Sequence, residues 1–199
     1  MTRHLCIVRH GETAWSVSEQ HTGRTDLALT EHGEAEARGA AGLLRGIVFS
    51  HVFSSPLQRA KRTAELAGFA DPTIEPDLIE WDYGDYEGLR SRDIAAKRSD
   101  WNLFRDGAPG GELPEQVSDR ADRLIAKLAA LDGTVAVFTH GHFGCSLAAR
   151  WIGLAILDAQ HLSLSTASLS VLGMSAHHPD IRVIELWNQT AEHRTFGPS

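Results

Sequence analysis

The stretch LCIVRHGETAW, residues 5–15, changes character in its middle. Leu5, Cys6, Ile7 and Val8 form an apolar run with the length of a strand buried on both faces. It stops at Arg9, His10, Gly11 and Glu12: a cation, an imidazole, a glycine and a carboxylate in succession. A second stretch of the same kind is TVAVFTHGH, residues 134–142. It is the most strand-like run in the chain, with Gly133 before it and His140, Gly141 and His142 at its end. In an open α/β sheet, ligands bind beyond the carboxyl ends of the strands. Two strands that each end on His-Gly are therefore expected to bring two imidazoles to one sheet edge. Each glycine allows close backbone approach and leaves an N–H free to point at an anion. A strand-capping histidine is the plain alternative for either one; two of the same form favour a shared site.

Outward from these strands, helix and strand patterns alternate. Thr30 is expected to cap a helix over GEAEARGAAGLL, whose acidic residues come early. SHVFSS at 50–55 reads as a short buried strand, and SPLQRAKRTAELAG as the helix behind it, with Ser55 as cap and Pro56 as first helical residue. Residues 89–110 read as irregular with short helical pieces. An amphipathic helix is expected over about 113–131, with Val117, Leu124, Ile125, Leu128 and Leu131 on one stripe. A helix through FGCSLAARWIG, strands near 168–174 and 181–187, and a frayed tail after Asn188 complete the chain. This alternation implies an α/β fold, a three-layer α/β/α sandwich around a mostly parallel central sheet. Without repeats, low-complexity segments or linkers, residues 1–199 are expected to form a single domain, with 75–115 as a cap region over the active site.

The composition is that of a globular protein: 199 residues, 42% hydrophobic and 23% charged. A formal charge of −7 argues against nucleic-acid or anionic-membrane partners, yet leaves room for a local basic pocket. No apolar run approaches the roughly 20 residues of a membrane span, and Arg9-His10 interrupts the N-terminal one, so a cytoplasmic location is expected. Cys6 and Cys145 lie in apolar segments and read as small buried hydrophobes, not as a disulfide.

Two imidazoles at one edge, with Arg9 beside the first and Arg59 one turn into the helix after Ser55, describe a phosphate pocket. A guanidinium offers forked donors that match phosphate oxygens. Lys61 and Arg62 read as an exposed basic face. The 11 histidines include no HExxH and no zinc-like Cys/His spacing, and Arg9 opposes a divalent cation, so no metal is expected. A GxSxG elbow is also missing. The remaining chemistry is a histidine nucleophile: neutral imidazole attacks phosphorus when an acceptor holds its other nitrogen. An acid must then protonate the leaving oxygen. Glu80 follows apolar Leu78-Ile79 and adjoins Trp81, but Glu12, Asp82, Asp85 and Glu87 compete, and spacing alone does not rank them.

LCIVRHGETAW with its RHG motif, SSPLQRA, EWDYGDYEG and VFTHGH, in that order, resemble the histidine phosphatase superfamily, also called the phosphoglycerate mutase-like family. The resemblance runs from about residue 4 to 175. It implies the phosphoglycerate mutase-like fold and no cofactor. It further implies His10 as phosphorylated nucleophile, Arg9, Arg59 and His140 as holders of the phosphoryl group, and Glu80 as proton donor. Many relatives carry asparagine where this chain has Ser16, which is kept as a weaker phosphate ligand, and most lack a histidine at His142. Gly141 is expected to offer its N–H to phosphate. His21, Thr22, Gly23, Arg24, Tyr83, Arg105 and His142 are expected around the rest of the substrate.

QHTGRTDLALT, WNLFRDG and HGHFGCSLAARWIGL look like the branch of sedoheptulose-1,7-bisphosphatase and related acid phosphatases. The stretch between the glutamate block and the second histidine is shorter than in mutases, which favours hydrolysis. The expected function is a metal-independent phosphomonoesterase acting on a small phosphorylated metabolite, a phosphosugar or sugar bisphosphate. A phosphoglycerate mutase and a catalytically inactive phospho-ligand-binding module are the alternatives. A homodimer is compatible with the resemblance, since many relatives are dimers.

Overall fold

The protein is described from a computed structural model covering residues 2–191. The part of the tail at 192–199, expected to fray, lies outside the described residues. In chain order the elements are β1 (Thr2–Arg9), α1 (Ala14–Val17), α2 (Glu31–Leu44), β2 (His51–Ser54), α3 (Gln58–Leu66) and β3 (Thr73–Ile74). Then follow α4 (Ser91–Ala95), α5 (Leu103–Asp106), α6 (Pro114–Ala129), β4 (Gly133–Thr139), α7 (Gly141–Trp151), β5 (Leu169–Met174) and β6 (Arg182–Gln189).

The six strands make one sheet in the order β3-β2-β4-β1-β5-β6. The pairs β3–β2, β2–β4 and β4–β1 are parallel, and β5 alone runs against its neighbours. β1 and β4 are the central pair, and their side chains explain why both read as unbroken apolar runs. Leu5, Ile7, Val135 and Val137 point into one core with α6 and α7, whereas Cys6, Val8, Ala136 and Phe138 point into another with Leu44, Ala64 and Ala67 of the α2–α3 side. A strand's period of two sends successive residues to opposite layers, so a strand covered on both faces has no polar position to show. This is the α/β/α layering expected. Burying each large aliphatic side chain of this kind contributes about 1.5–3 kcal/mol.

Local chemistry sets most element ends as read. The Thr30 hydroxyl accepts from Gly33 N at 3.0 Å and starts α2. α6 keeps Val117, Leu124, Ile125 and Leu128 buried, as its stripe requires. Cys6 and Cys145 are free and buried. One boundary is corrected: α3 begins at Gln58 with Leu57 as its N-cap and no side-chain cap, two residues beyond the expected start at Pro56. The Ser55 hydroxyl still accepts from Leu57 N at 3.3 Å, just ahead of the helix, and also meets a histidine at 2.8 Å. Among the described residues no helix is long and apolar enough to cross a membrane.

Candidate active site

Three parallel strands end side by side, and each hands over a polar residue at its carboxyl end: Ser55 after β2, His140 after β4, His10 after β1. Backbone bonds continue the ladder past the strands, with His10 N donating to Thr139 O at 2.9 Å and Ser55 N to Phe138 O at 3.0 Å. The two imidazoles therefore meet, with ring centroids 5.2 Å apart.

His10 is 5% exposed, and its Nδ1 lies 2.7 Å from Gly11 O. A carbonyl only accepts, so Nδ1 carries the hydrogen and Nε2 keeps its lone pair. Burial, then the charges of Arg59 and Arg9, hold this imidazole well below the ordinary histidine range, so it is neutral near pH 7. The Gly11 carbonyl is held in turn: Gly11 N donates to Thr63 Oγ1 at 3.0 Å, and an added Cβ on Gly11 would sit 2.3 Å from Gly33 O. Only glycine allows that backbone-to-backbone approach.

In front of His10 opens a cavity of about 320 Å³. Of the expected residues, Arg9, His10, Ser16, His21, Thr22, Glu80, Tyr83, Gly141 and His142 line it. Arg9 donates through Nη1 to Leu164 O, while its Nε is buried without any partner. An unpaired buried guanidinium N–H is costly, and the guanidinium charge at the cavity wall favours an anion there. Burial pushes the Arg9 pKa down, with the Glu80 carboxylate acting in the opposite sense.

Glu80 comes from the irregular segment after β3 and is held by the first turn of α7. Its Oε1 accepts from Trp81 N at 2.9 Å and Phe143 N at 2.8 Å, and its Oε2 accepts from His142 N at 3.0 Å. Each carboxylate oxygen has two acceptor positions, so Oε1 is filled and Oε2 keeps one open. Arg120 fixes the same segment by donating to Asp77 O and Ile79 O while pairing with Glu112. The far wall is aromatic: Tyr83 Oη meets His142 Nδ1, and the His21 ring lies tilted against Tyr83 with centroids 4.8 Å apart. Burial lowers His21 and His142 to about 4.

Several expected contacts lie elsewhere. Arg59 and His140 are fully buried behind the His10 wall. Arg59 donates to His140 Nδ1 at 3.1 Å and to the carbonyls of Thr22, Gly23 and Thr25, so it ties down the 22–25 loop. His140 therefore carries its hydrogen on Nε2, 2.8 Å from Ser55 Oγ, and burial pushes it well below the ordinary range. Gly23 is buried too: a Cβ there would lie 2.5 Å from Trp81 O, so it serves close packing rather than substrate contact. The Ser16 hydroxyl donates to Thr13 O at 2.9 Å in the cap of α1, which occupies the hydrogen expected for phosphate. Arg24 turns to Asp82 at 3.2 Å and Arg105 to Asp106 at 2.8 Å, both exposed and away from the cavity wall.

Ser55 and Thr63 were missed because SSP looked like a capping signal and Thr63 sits mid-helix; only the sheet order places them behind the histidines. Trp15 and Leu164 also join the wall, the latter from the segment before β5.

The sequence matches the histidine phosphatase superfamily (branch 1) over residues 5–190. It is 38% identical over 173 residues to an acid phosphatase of Mycobacterium tuberculosis, covering 85% of each chain. It is 35% identical over 189 residues to sedoheptulose 1,7-bisphosphatase of Saccharomyces cerevisiae, covering 78% of this chain and 70% of that one. Its fold overlays the solved structure of an open reading frame product from Mycobacterium tuberculosis with a TM-score of 0.91 at 35% identity, over 96% of this chain and 100% of that one. The neutral histidine at the end of the first strand, the buried arginines around it and these similarities agree: the chain belongs to branch 1 of the histidine phosphatase superfamily and is a phosphatase-type enzyme.

Proposed function

We propose that the chain is a metal-independent phosphomonoesterase that acts on a small phosphorylated metabolite through a covalent phosphohistidine at His10. The observation that carries this reading is the fixed tautomer of His10, whose Nδ1–H is held by Gly11 O beside the unpartnered Arg9 Nε. In the first step His10 Nε2 forms a bond to phosphorus and the ester P–O bond breaks. Glu80, in its acid form, gives its proton from the open side of Oε2 to the departing alcohol oxygen. In the second step Glu80 takes a proton from water as that oxygen attacks phosphorus; the N–P bond breaks, inorganic phosphate leaves, and His10 and Glu80 return to their starting forms. Arg9 faces the equatorial oxygens directly, the kind of fixed positive charge that lowers phosphoryl-transfer barriers. Arg59 and His140 act from behind the wall, Arg59 through its charge and His140 by holding Arg59 in line. The chain is read as one domain in which the 75–115 region supplies Glu80, Tyr83 and Ser91 to one side of the cavity.

Rapid quenching with a turned-over ester such as p-nitrophenyl phosphate is expected to trap an acid-labile phosphoryl group on His10. Full activity of His10→Ala, or loss of activity in chelator, overturns the mechanism. Comparing inorganic phosphate release with isomer formation from 3-phosphoglycerate separates hydrolysis from mutase chemistry.

A further inference from the structure

The cavity is electrostatically one-sided. At its closed end stand Arg9, with a free Nε, and behind the wall the Arg59 guanidinium. The exposed part of the lining is Glu19, Ser91 and Ser163, with Trp15 and Gln20 half-buried beside them. Among the described residues, Arg9 is the single lysine or arginine that lines the cavity, and Glu19 adds a carboxylate on its exposed side. The two cations expected at the mouth are withdrawn: Arg24 is bound to Asp82 and Arg105 to Asp106. The rings of the far wall add no charge near neutral pH, since burial keeps His21 and His142 unprotonated and Tyr83 as the phenol. Their nitrogens and hydroxyl still offer hydrogen bonds, and Trp15 offers an apolar face.

A second anionic group on the substrate would meet Glu19 at this mouth with no cation to neutralise it. From this we infer that the site takes a single phosphoryl group on an uncharged, hydroxylated body and discriminates against bisphosphates and phosphorylated carboxylic acids. The inference rests on the phosphomonoesterase reading above and adds the substrate class. It separates this chain from its bisphosphatase-named relative, and it disfavours the mutase alternative, whose substrates carry a carboxylate.

Two matched pairs test it: glucose 6-phosphate against glucose 1,6-bisphosphate, and glycerol 3-phosphate against 3-phosphoglycerate. Within each pair the two esters differ in one anionic group. The uncharged-body member is expected to have a kcat/KM at least about tenfold higher, since rejecting an unpaired charge is an effective way to discriminate. Replacing exposed Glu19 by Lys (Glu19→Lys) is expected to narrow both ratios severalfold. Equal or better turnover of either anionic member overturns the inference, as does an unchanged ratio in Glu19→Lys. If no ester is hydrolysed, the phosphatase reading fails; calorimetric binding of the same four compounds to the intact protein then decides the charge preference alone. Equal affinity within the pairs overturns it, and weaker binding of the anionic members supports it.

Discussion

Arg9 carries the electrostatics of the cavity at the residue scale. Its Nη1 is anchored on Leu164 O, its Nε is buried without a partner, and the residue lines the cavity beside His10. Lysine keeps the charge but loses the planar fork, so Arg9→Lys is expected to lower kcat/KM by a factor of about 10²–10³ with fold and stability retained. Steady-state kinetics beside a circular dichroism melt check it, and near-native kcat/KM would show that the fork is dispensable. The Arg9-His10 pair was legible in sequence because a strand end places both without help from distant residues. Arg24 and Arg105 were misread for the opposite reason. The side chain of each is taken by a carboxylate, Asp82 across the fold and Asp106 within one short helix, and no spacing rule reports which acid wins. Ser16 shows the same competition at shorter range, since its hydroxyl serves the cap of α1.

The loop after β1 packs against α2 at the scale of elements, through two facing glycines. A Cβ on Gly33 would sit 2.1 Å from Glu12 O, and one on Gly11 2.3 Å from Gly33 O. Gly33→Ala is therefore expected to cost about 2–4 kcal/mol, the range of overpacking and strain at an unyielding backbone contact. It is also expected to reduce kcat, because the shifted loop carries the Gly11 carbonyl that fixes the His10 tautomer. Urea denaturation and kinetics on the folded fraction measure the two effects, and a stability loss with unchanged kcat would uncouple them. The α/β/α layering was legible from the unbroken apolar runs of β1 and β4, since full burial on both faces leaves that pattern. The start of α3 was not: Ser-Pro has the chemistry of a helix cap and the Ser55 hydroxyl accepts from Leu57 N, yet it also serves the His140 imidazole and the regular helix begins only at Gln58. Glu80 was open among five carboxylates for a similar reason. What distinguishes it is the first turn of α7, some 60 residues further along, and the Arg120 bonds that hold its segment.

Four histidines, His10, His21, His140 and His142, are kept neutral by burial first and by neighbouring charge second, which gives the whole molecule a pH dependence. Their folded pKa values lie below that of the unfolded chain, so the unfolded state binds more protons as the pH drops. Stability from these groups is fully present above about 6.5 and is lost as pH falls toward the folded values, near 4 for His21 and His142. The loss is expected to be on the order of a few kcal/mol between pH 6.5 and 4.5. Denaturant titrations at stepped pH check it, and a flat profile across that window would place these rings in contact with solvent. The sheet order also bears on how the molecule opens. The His10 amide closes onto Thr139 O between the two central strands, so its deuterium uptake requires those strands to separate and is expected to follow global unfolding. Amides of the 89–110 region, built from short helical pieces of which Ser91 reaches the cavity, are expected to exchange through local opening. The exposed cavity residues Glu19, Ser91 and Ser163 lie outside the sheet, so new substrate preferences can be selected there without touching the strands that hold the nucleophile.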